Sequence, residues 1–471
     1  RIDAGIERSP HSFAHILVED PIRPGLLFAG TDNSVWTSLD DGGSWIKLRS
    51  DMPPAPVYWL TVQERFGDLV VATYGRGFYI LDDLGPLRAL TSEVMDAQAH
   101  LFDPADAYRW VPQTAIHTES SFVSGRDPRD GANIDYWLGE DAAGPVRIVI
   151  EGPDGDVIRT LSEEGKAGLN RAYWDLRYES PRTPLLRTTP PGKPWVQFGP
   201  DGTRPLRSWD LDLVRGQMGP RVAPGSYTVR LAVGDIELSG PLTVLKDPGS
   251  EGSAETIRAQ VEFSLGLRGR LNEVVDLINT LEWTRKQLES LQGGIRDRMA
   301  ADARAGGGSA EALNALMTSV RRMEQRAISI ESILFDVHLT GAREDAFRNP
   351  IKLYGRLSAL ASDVSGFGAD FQPTDQQREV AAVLTERLEE AKRQSDSFFG
   401  REMETLNERL REAHLPAVVG GAGPGGESSS PRLGHGPPGP PSAQDPRNPG
   451  KGTSTPPEKW RAPSRSGAGG R

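Results

Sequence analysis

Apolar and polar residues alternate with a period of two over the first half of the chain and recur every three to four residues over the second. Ala14–Glu19, Leu26–Gly30, Val35–Ser38 and Ser44–Leu48 are short apolar runs separated by Gly, Pro and Asp turns. Val57–Gln63, Asp68–Thr73 and Gly77–Leu81 repeat the rhythm. Short strands punctuated in this way predict a propeller or a sandwich. Residues 1–92 therefore read as the last two blades of a β-propeller. Two blades cannot close a ring, since each repeat buries its face only against neighbours. Further blades are expected ahead of Arg1.

Residues 93–248 stay β-rich with a different texture. Val146–Ile150 and Val157–Leu161 flank the turn Pro153-Asp154-Gly155-Asp156, Asn170–Arg177 alternates, and Ser226–Val233 and Ile236–Leu245 flank Gly234-Asp235. The pattern predicts a small immunoglobulin-like β-sandwich. A long insertion, 180–221, separates its strands and is either functional or pinned to a neighbouring domain.

At Asp247-Pro248-Gly249 the period changes to 3.6, and residues 249–416 predict an α-helical bundle. Ile257, Val261, Leu265, Leu271, Val274, Ile278, Leu281, Leu288 and Leu291 mark one long helix. Breaks are expected near Gly266–Gly269, with ends at Gly293-Gly294 or Gly306–Gly308. A second helix is expected from Ala310 to about Leu339 and a third from Pro350. The capping box Thr374-Asp375-Gln376-Gln377 opens a fourth. Residues 417–471 are Gly-, Pro- and Ser-rich with little to bury, so they read as a disordered tail. The class is thus multidomain, β plus α.

Charge and composition narrow the chemistry. The 54 Lys and Arg against 65 Asp and Glu leave a net charge of −11, which lacks the basic footprint of a general nucleic-acid binder. No apolar run is long enough to span a membrane as a helix. With no cysteine, disulfides and thiol chemistry are excluded. The seven histidines are scattered without metal-ligand spacing, so neither a metal nor a cofactor is expected.

The sharpest motif is Ser38-Leu39-Asp40-Asp41-Gly42-Gly43-Ser44-Trp45, which fits the Asp-box pattern S-x-D-x-G-x-[ST]-W at Ser38, Asp40, Gly42, Ser44 and Trp45. Asp40 can accept N–H groups across the turn, Gly42 supplies unusual backbone angles, and Trp45 buries its ring. These are structural roles. Arg76, between Gly75 and Gly77, has two readings. It grips a carboxylate or sugar acid, or it pairs with Asp82 or Asp83; the second is the commoner use of such a residue. Asp82, Asp83, Glu64 and Asp68 are the carboxylates a glycosidase would draw on, although neighbours on a strand point to opposite faces. Trp195 and Trp209 are candidates for stacking on sugar, with interdomain packing as the plainer alternative.

The order of these segments resembles a known family. Leu26–Thr31, the Asp box, and Leu69–Asp83 with its Tyr74-Gly75-Arg76-Gly77-Phe78 core resemble the closing blades of bacterial sortilin-like, BNR (Asp-box) repeat propeller proteins, often described as glycosyl hydrolase-like. Gly168–Tyr178 and Ala223–Val229 look like the module that follows the propeller in that family, and Pro373-Thr374 onward like its C-terminal helices. The resemblance implies the C-terminal part of an exported, periplasmic or extracellular protein. It implies a scaffold binding carbohydrate or protein. The alternatives are a sialidase- or xyloglucanase-like hydrolase with its catalytic residues on earlier blades, and an assembly module working through the helical bundle.

Overall fold

The computed structural model describes residues 4–6, 9–48, 52–111, 128–204, 218–305, 308, 310–342, 351–365 and 369–424 of the chain. It is a mixed, multidomain arrangement: β-sheets first, then a helical region. No helix among the described residues is long and apolar enough to cross a membrane.

The first sheet is an antiparallel meander of β1 (Ala14–Glu19), β2 (Leu27–Thr31), β3 (Val35–Ser38) and β4 (Ile46–Lys47). A three-stranded meander follows: β5 (Val57–Gln63), β6 (Asp68–Thr73) and β7 (Phe78–Leu81). The two sheets bury one face against each other through Leu26, Phe28 and Val35 on one side and Val57, Leu60, Leu69 and Val71 on the other. Leu84 and Leu87, at the start of and within α1 (Gly85–Ala89), cap this core. Arg88 ties α1 back to the buried Asp20 with Nε and Nη2 hydrogen bonds of 2.8–3.1 Å. The expected strand Ser44–Leu48 is reduced to β4. The Asp40 carboxylate takes the Ser44 N–H and the Ala4 carbonyl takes that of Trp45.

After α2 (Ser92–Asp96), two further sheets share one core. The strands are β8 (Ala99–Leu101), β9 (Ala107–Arg109), β10 (Ala132–Leu138), β11 (Val146–Glu151), β12 (Val157–Glu163), β13 (Gly168–Trp174), β14 (Gly225–Val233) and β15 (Ile236–Lys246). They pair in the orders β13-β10-β8 and β12-β11-β14-β15-β9, the last pair parallel. Ile134, Tyr136, Ala172 and Trp174 face Ile148, Ile150, Val229, Leu231 and Leu242 across this core. The expected strand to Arg177 stops at Trp174, because Leu176 turns the chain with a φ of 55°.

The helical body comprises α3 (Ala254–Ala305), α4 (Ala310–Leu334), α5 (Leu353–Ser365), α6 (Asp375–Ser397), one π-helical turn (Phe398–Glu402) and α7 (Met403–Glu412). α3 runs unbroken through Gly266, Gly269, Gly293 and Gly294, contrary to the expected break and the earlier end, and stops at Ala305, just before the later end expected at Gly306–Gly308. Each helical glycine costs about 1 kcal/mol. Fully burying one Leu contributes about 1.5–3 kcal/mol, and Leu267, Leu271, Val274, Ile278 and Leu281 are all buried along the helix. α4 ends at Leu334 rather than Leu339, where Asp336 accepts the His338 N–H in a turn. The expected start at Pro350 lies outside the described residues. The capping box forms as expected: Thr374 accepts the Gln377 N–H at 3.2 Å and Gln377 accepts the Thr374 N–H at 2.9 Å.

The helical body also draws in chain from outside 249–416. Three polar side chains on one face of α3 receive the backbone of the long insertion. Asn272 accepts the Arg182 N–H at 2.8 Å, Asn279 that of Leu185 at 2.7 Å, and Glu282 those of Arg187 and Thr188 at 2.6 and 2.7 Å. Leu186 is buried in the helical core. At the other end, Val418 is buried in the same core, and Asn407 brackets it with hydrogen bonds of 2.8 and 3.0 Å. The tail expected to be disordered from 417 is therefore ordered against the bundle as far as 424; the rest lies outside the described residues.

Candidate functional site

The Asp box folds as its residue types dictate. Asp40 accepts the Ser44 N–H at 2.8 Å, the Ser44 hydroxyl at 2.7 Å and the Ser38 hydroxyl at 2.8 Å. Ser38 in turn accepts the Gly42 N–H at 2.9 Å. Gly42 has a φ of 82°, in the left-handed region that favours glycine. Trp45 packs with Trp36, Leu27 and Ala29 on the face of the first sheet opposite the shared core. Burial raises the Asp40 pKa, but the Ser44 and Ser38 hydrogen bonds overcome this and hold it below the ordinary carboxylate value. The motif is a hairpin brace.

Arg76 stands at the tip of the β6–β7 hairpin, exposed, between Gly75 and Gly77 with φ of 77° and 81°. It makes no ion pair with Asp82 or Asp83. Those carboxylates follow the opposite end of β7 and belong to a different arginine. Close to the hairpin runs a solvent-facing row of rings: His15 stacks on Tyr58 at 4.2 Å between centroids, Phe13 meets His15 at 4.9 Å, and Tyr58 meets Tyr74 at 5.6 Å. Trp195, 69% exposed, lies on the insertion beside the helical body, where Lys193 donates to the His338 carbonyl. The fold thus places Arg76 and Trp195 on separate bodies. Trp209 lies outside the described residues.

A cleft between the first pair of sheets and the second pair gathers chemistry that the sequence pattern left scattered. Leu81, Asp82, Asp83, Pro86 and Leu87 line one wall, and Asp135, Tyr136, Glu163, Leu169, Asn170 and Arg171 the other, around about 220 Å³. Asp135 on β10 stands directly opposite Arg171 on β13. Their side chains form a two-pronged pair, Nε to Oδ1 at 2.7 Å and Nη2 to Oδ2 at 3.0 Å. Arg171 then crosses the cleft: Nη2 lies 3.8 Å from an Asp83 oxygen, and Nη1 donates to the Asp82 carbonyl at 3.4 Å.

Asp82 and Asp83 are not strand neighbours on opposite faces. The strand ends at Leu81, Asp83 adopts a φ of 59°, and Asp68 accepts its N–H at 3.0 Å. Burial, then the charge of Asp68, raises the Asp82 pKa, with Arg171 opposing. Burial also raises Asp135, against the pull of Arg171. Burial, then Glu163, raises the Tyr136 phenol, so it stays a hydroxyl that can donate. A raised carboxyl beside other acidic groups can carry a proton, and the apolar wall of Leu81, Pro86, Leu87 and Leu169 can take the C–H face of a small ligand. Arg171 is already engaged and orients the carboxylates. Asp135 could have been suspected from sequence, since it interrupts the apolar run Ile134–Leu138. Its pairing with Arg171 needs the β10–β13 register.

Comparison with protein-family models and with curated proteins returns no match.

Proposed function

We propose that the chain is the C-terminal part of an exported Asp-box β-propeller protein that serves as a binding scaffold for carbohydrate or protein, with an immunoglobulin-like module and a helical bundle following the blades. The observation that carries this reading is the stack of the two N-terminal sheets. The Asp-box sheet and the β5–β7 sheet bury one face together, as successive blades do, and the far face of β5–β7 stays apolar and open. Across the strands, Trp59, Ala72 and Phe78 line up, as do Thr61, Val70 and Ile80. Trp59, Phe78 and Ile80 are 60–78% exposed. An apolar face of this kind fits a further blade. The immunoglobulin-like reading draws on Tyr227, near the start of β14, whose hydroxyl donates to the Ala223 carbonyl four residues upstream at 2.6 Å in the manner of a tyrosine corner.

The ligand site in this reading is the Asp82–Asp135–Arg171 cleft, whose carboxylates suit the hydroxyl groups of a sugar. The test is a glycan array together with a chromogenic glycoside panel, run on the wild-type chain and on Asp82→Asn and Asp135→Asn. Binding without turnover, weakened in both variants, is the expected result. Turnover abolished by either substitution would replace the scaffold with a hydrolase. Binding unaffected by both would remove the cleft from the proposal.

A further inference from the structure

Where the second pair of sheets meets the helical body, three arginines come together. Arg109 is on β9, Arg177 follows β13, and Arg221 precedes β14 and bridges to Arg177 through the backbone. Of the three, only Arg109 is neutralised by an ion pair among the described residues. Arg109 is ion-paired with Asp370, donates to the Val222 carbonyl at 3.0 Å, and reaches Gln260 Oε1 at 3.3 Å. Gln260 in turn commits its amide to the Val364 and Ala369 carbonyls, both at 2.8 Å. Arg177 has the charge of Asp175 beside it and donates to the Gly219 carbonyl at 2.9 Å.

Arg221 has no ion-pair partner among the described residues. It is 6% exposed, and its Nη1 has no acceptor among them. Asp130 and Asp247 act on it through their charge, without an ion pair. Burial, then Arg109 and Arg177, push the Arg221 guanidinium down to about 9, so it remains charged at neutral pH. A buried charge without a counterion costs several kcal/mol. Next to it lies a small cavity of about 10 Å³, lined among the described residues by Arg109, Arg221, Gln260, Val261, Ser264 and Ser365, none of them a carboxylate. Ser264, 4% exposed on α3, contributes a hydroxyl that also lacks a partner.

We propose that this cavity binds a monovalent inorganic anion of halide size, held by the Arg221 guanidinium and the Ser264 hydroxyl, and that the anion fastens the β-sheets to α3. The space takes one small occupant, which leaves out phosphate and organic carboxylates. Water would satisfy the donors and bring no counter-charge against Arg221. An anion satisfies both.

The test uses the full chain. Thermal melting in sodium bromide is compared with sodium gluconate at equal ionic strength, and crystals grown in bromide are examined for anomalous scattering. Tm is expected to rise by about 3 °C per tenfold increase in bromide above half-saturation, with an anomalous peak between Arg221 Nη1 and Ser264 Oγ. Ser264→Ala removes only one hydroxyl and is expected to raise the half-saturating bromide concentration by about tenfold. Arg221→Met is expected to abolish the dependence. Equal melting in the two salts, a rise shared by both variants, or crystals without the peak would overturn the proposal. A peak confined to molar bromide, with no shift in Tm at millimolar concentration, marks an adventitious ion only and overturns it as well.

Discussion

Glu282→Ala should detach the long insertion from the helical body. The wild-type carboxylate is fully buried and accepts the Arg187 N–H at 2.6 Å, the Thr188 N–H at 2.7 Å and the Thr188 hydroxyl at 3.1 Å. Arg285 and Arg204 stand 3.6 and 3.7 Å away as its charge partners. Each stranded buried donor costs about 1–3 kcal/mol. Removing one partner from a buried charge cluster costs about 3–5 kcal/mol. These describe the same lost group and do not add, so about 3–5 kcal/mol of helical-body stability is expected to go. Urea unfolding followed by circular dichroism measures the loss. Hydrogen exchange locates it: the Arg187 and Thr188 amides should exchange much faster. Those of Arg182 and Leu185, held by Asn272 and Asn279, should change less. Glu282→Gln keeps the shape and should lose less than alanine. A loss below about 1 kcal/mol, with both amides still protected, would refute the idea that this carboxylate pins the insertion.

Asp40→Ala removes three accepted hydrogen bonds at an exposed turn and is expected to cost about 1–2 kcal/mol, measured as a lowered unfolding midpoint. The lowered Asp40 pKa means its stabilisation is present above the unfolded value and fades as pH falls through the folded one, so the variant should flatten acid unfolding below about pH 4. Asp82 behaves oppositely. Burial and then Asp68 raise its pKa, so the native state holds a proton that the unfolded chain releases, and stability is lost as pH rises from the ordinary carboxylate value through the folded one. Asp82→Asn should therefore stabilise the chain at neutral pH, seen as a higher Tm that converges with wild type in acid. Replacing Trp59, Phe78 and Ile80 with serine should change unfolding stability by less than about 0.5 kcal/mol each while reducing dye binding to exposed apolar surface; a large loss of stability would mean that the face is buried.

Periodicity made much of the architecture legible. The strands Ala14–Glu19, Val35–Ser38, Val57–Gln63 and Asp68–Thr73 fall where alternation places them, since a half-buried sheet imposes period two on its residues. The Asp box and the Thr374–Gln377 capping box were equally readable, because each is closed by hydrogen bonds within a few residues. Where local propensity and burial compete, burial wins: four glycines predicted to break or end α3 pass through it under a continuous apolar stripe.

The candidate sites depend on register and packing. Asp135 and Arg171 are 36 residues apart in the chain and become partners only through the β10–β13 alignment. Arg76 and Asp82, near in sequence, are held apart by the length of β7. Asn272, Asn279 and Glu282 read as the polar face of a helix, yet they clasp the backbone of a segment some 90 residues earlier. The sequence by itself determined what is settled within a turn, a hairpin or a helix face: the strands, the helical stripes and the caps. Only the tertiary structure decided which charges meet, where the insertion lies, and that Arg221 is buried without an ion-pair partner among the described residues, because those outcomes depend on which distant surfaces exclude water together.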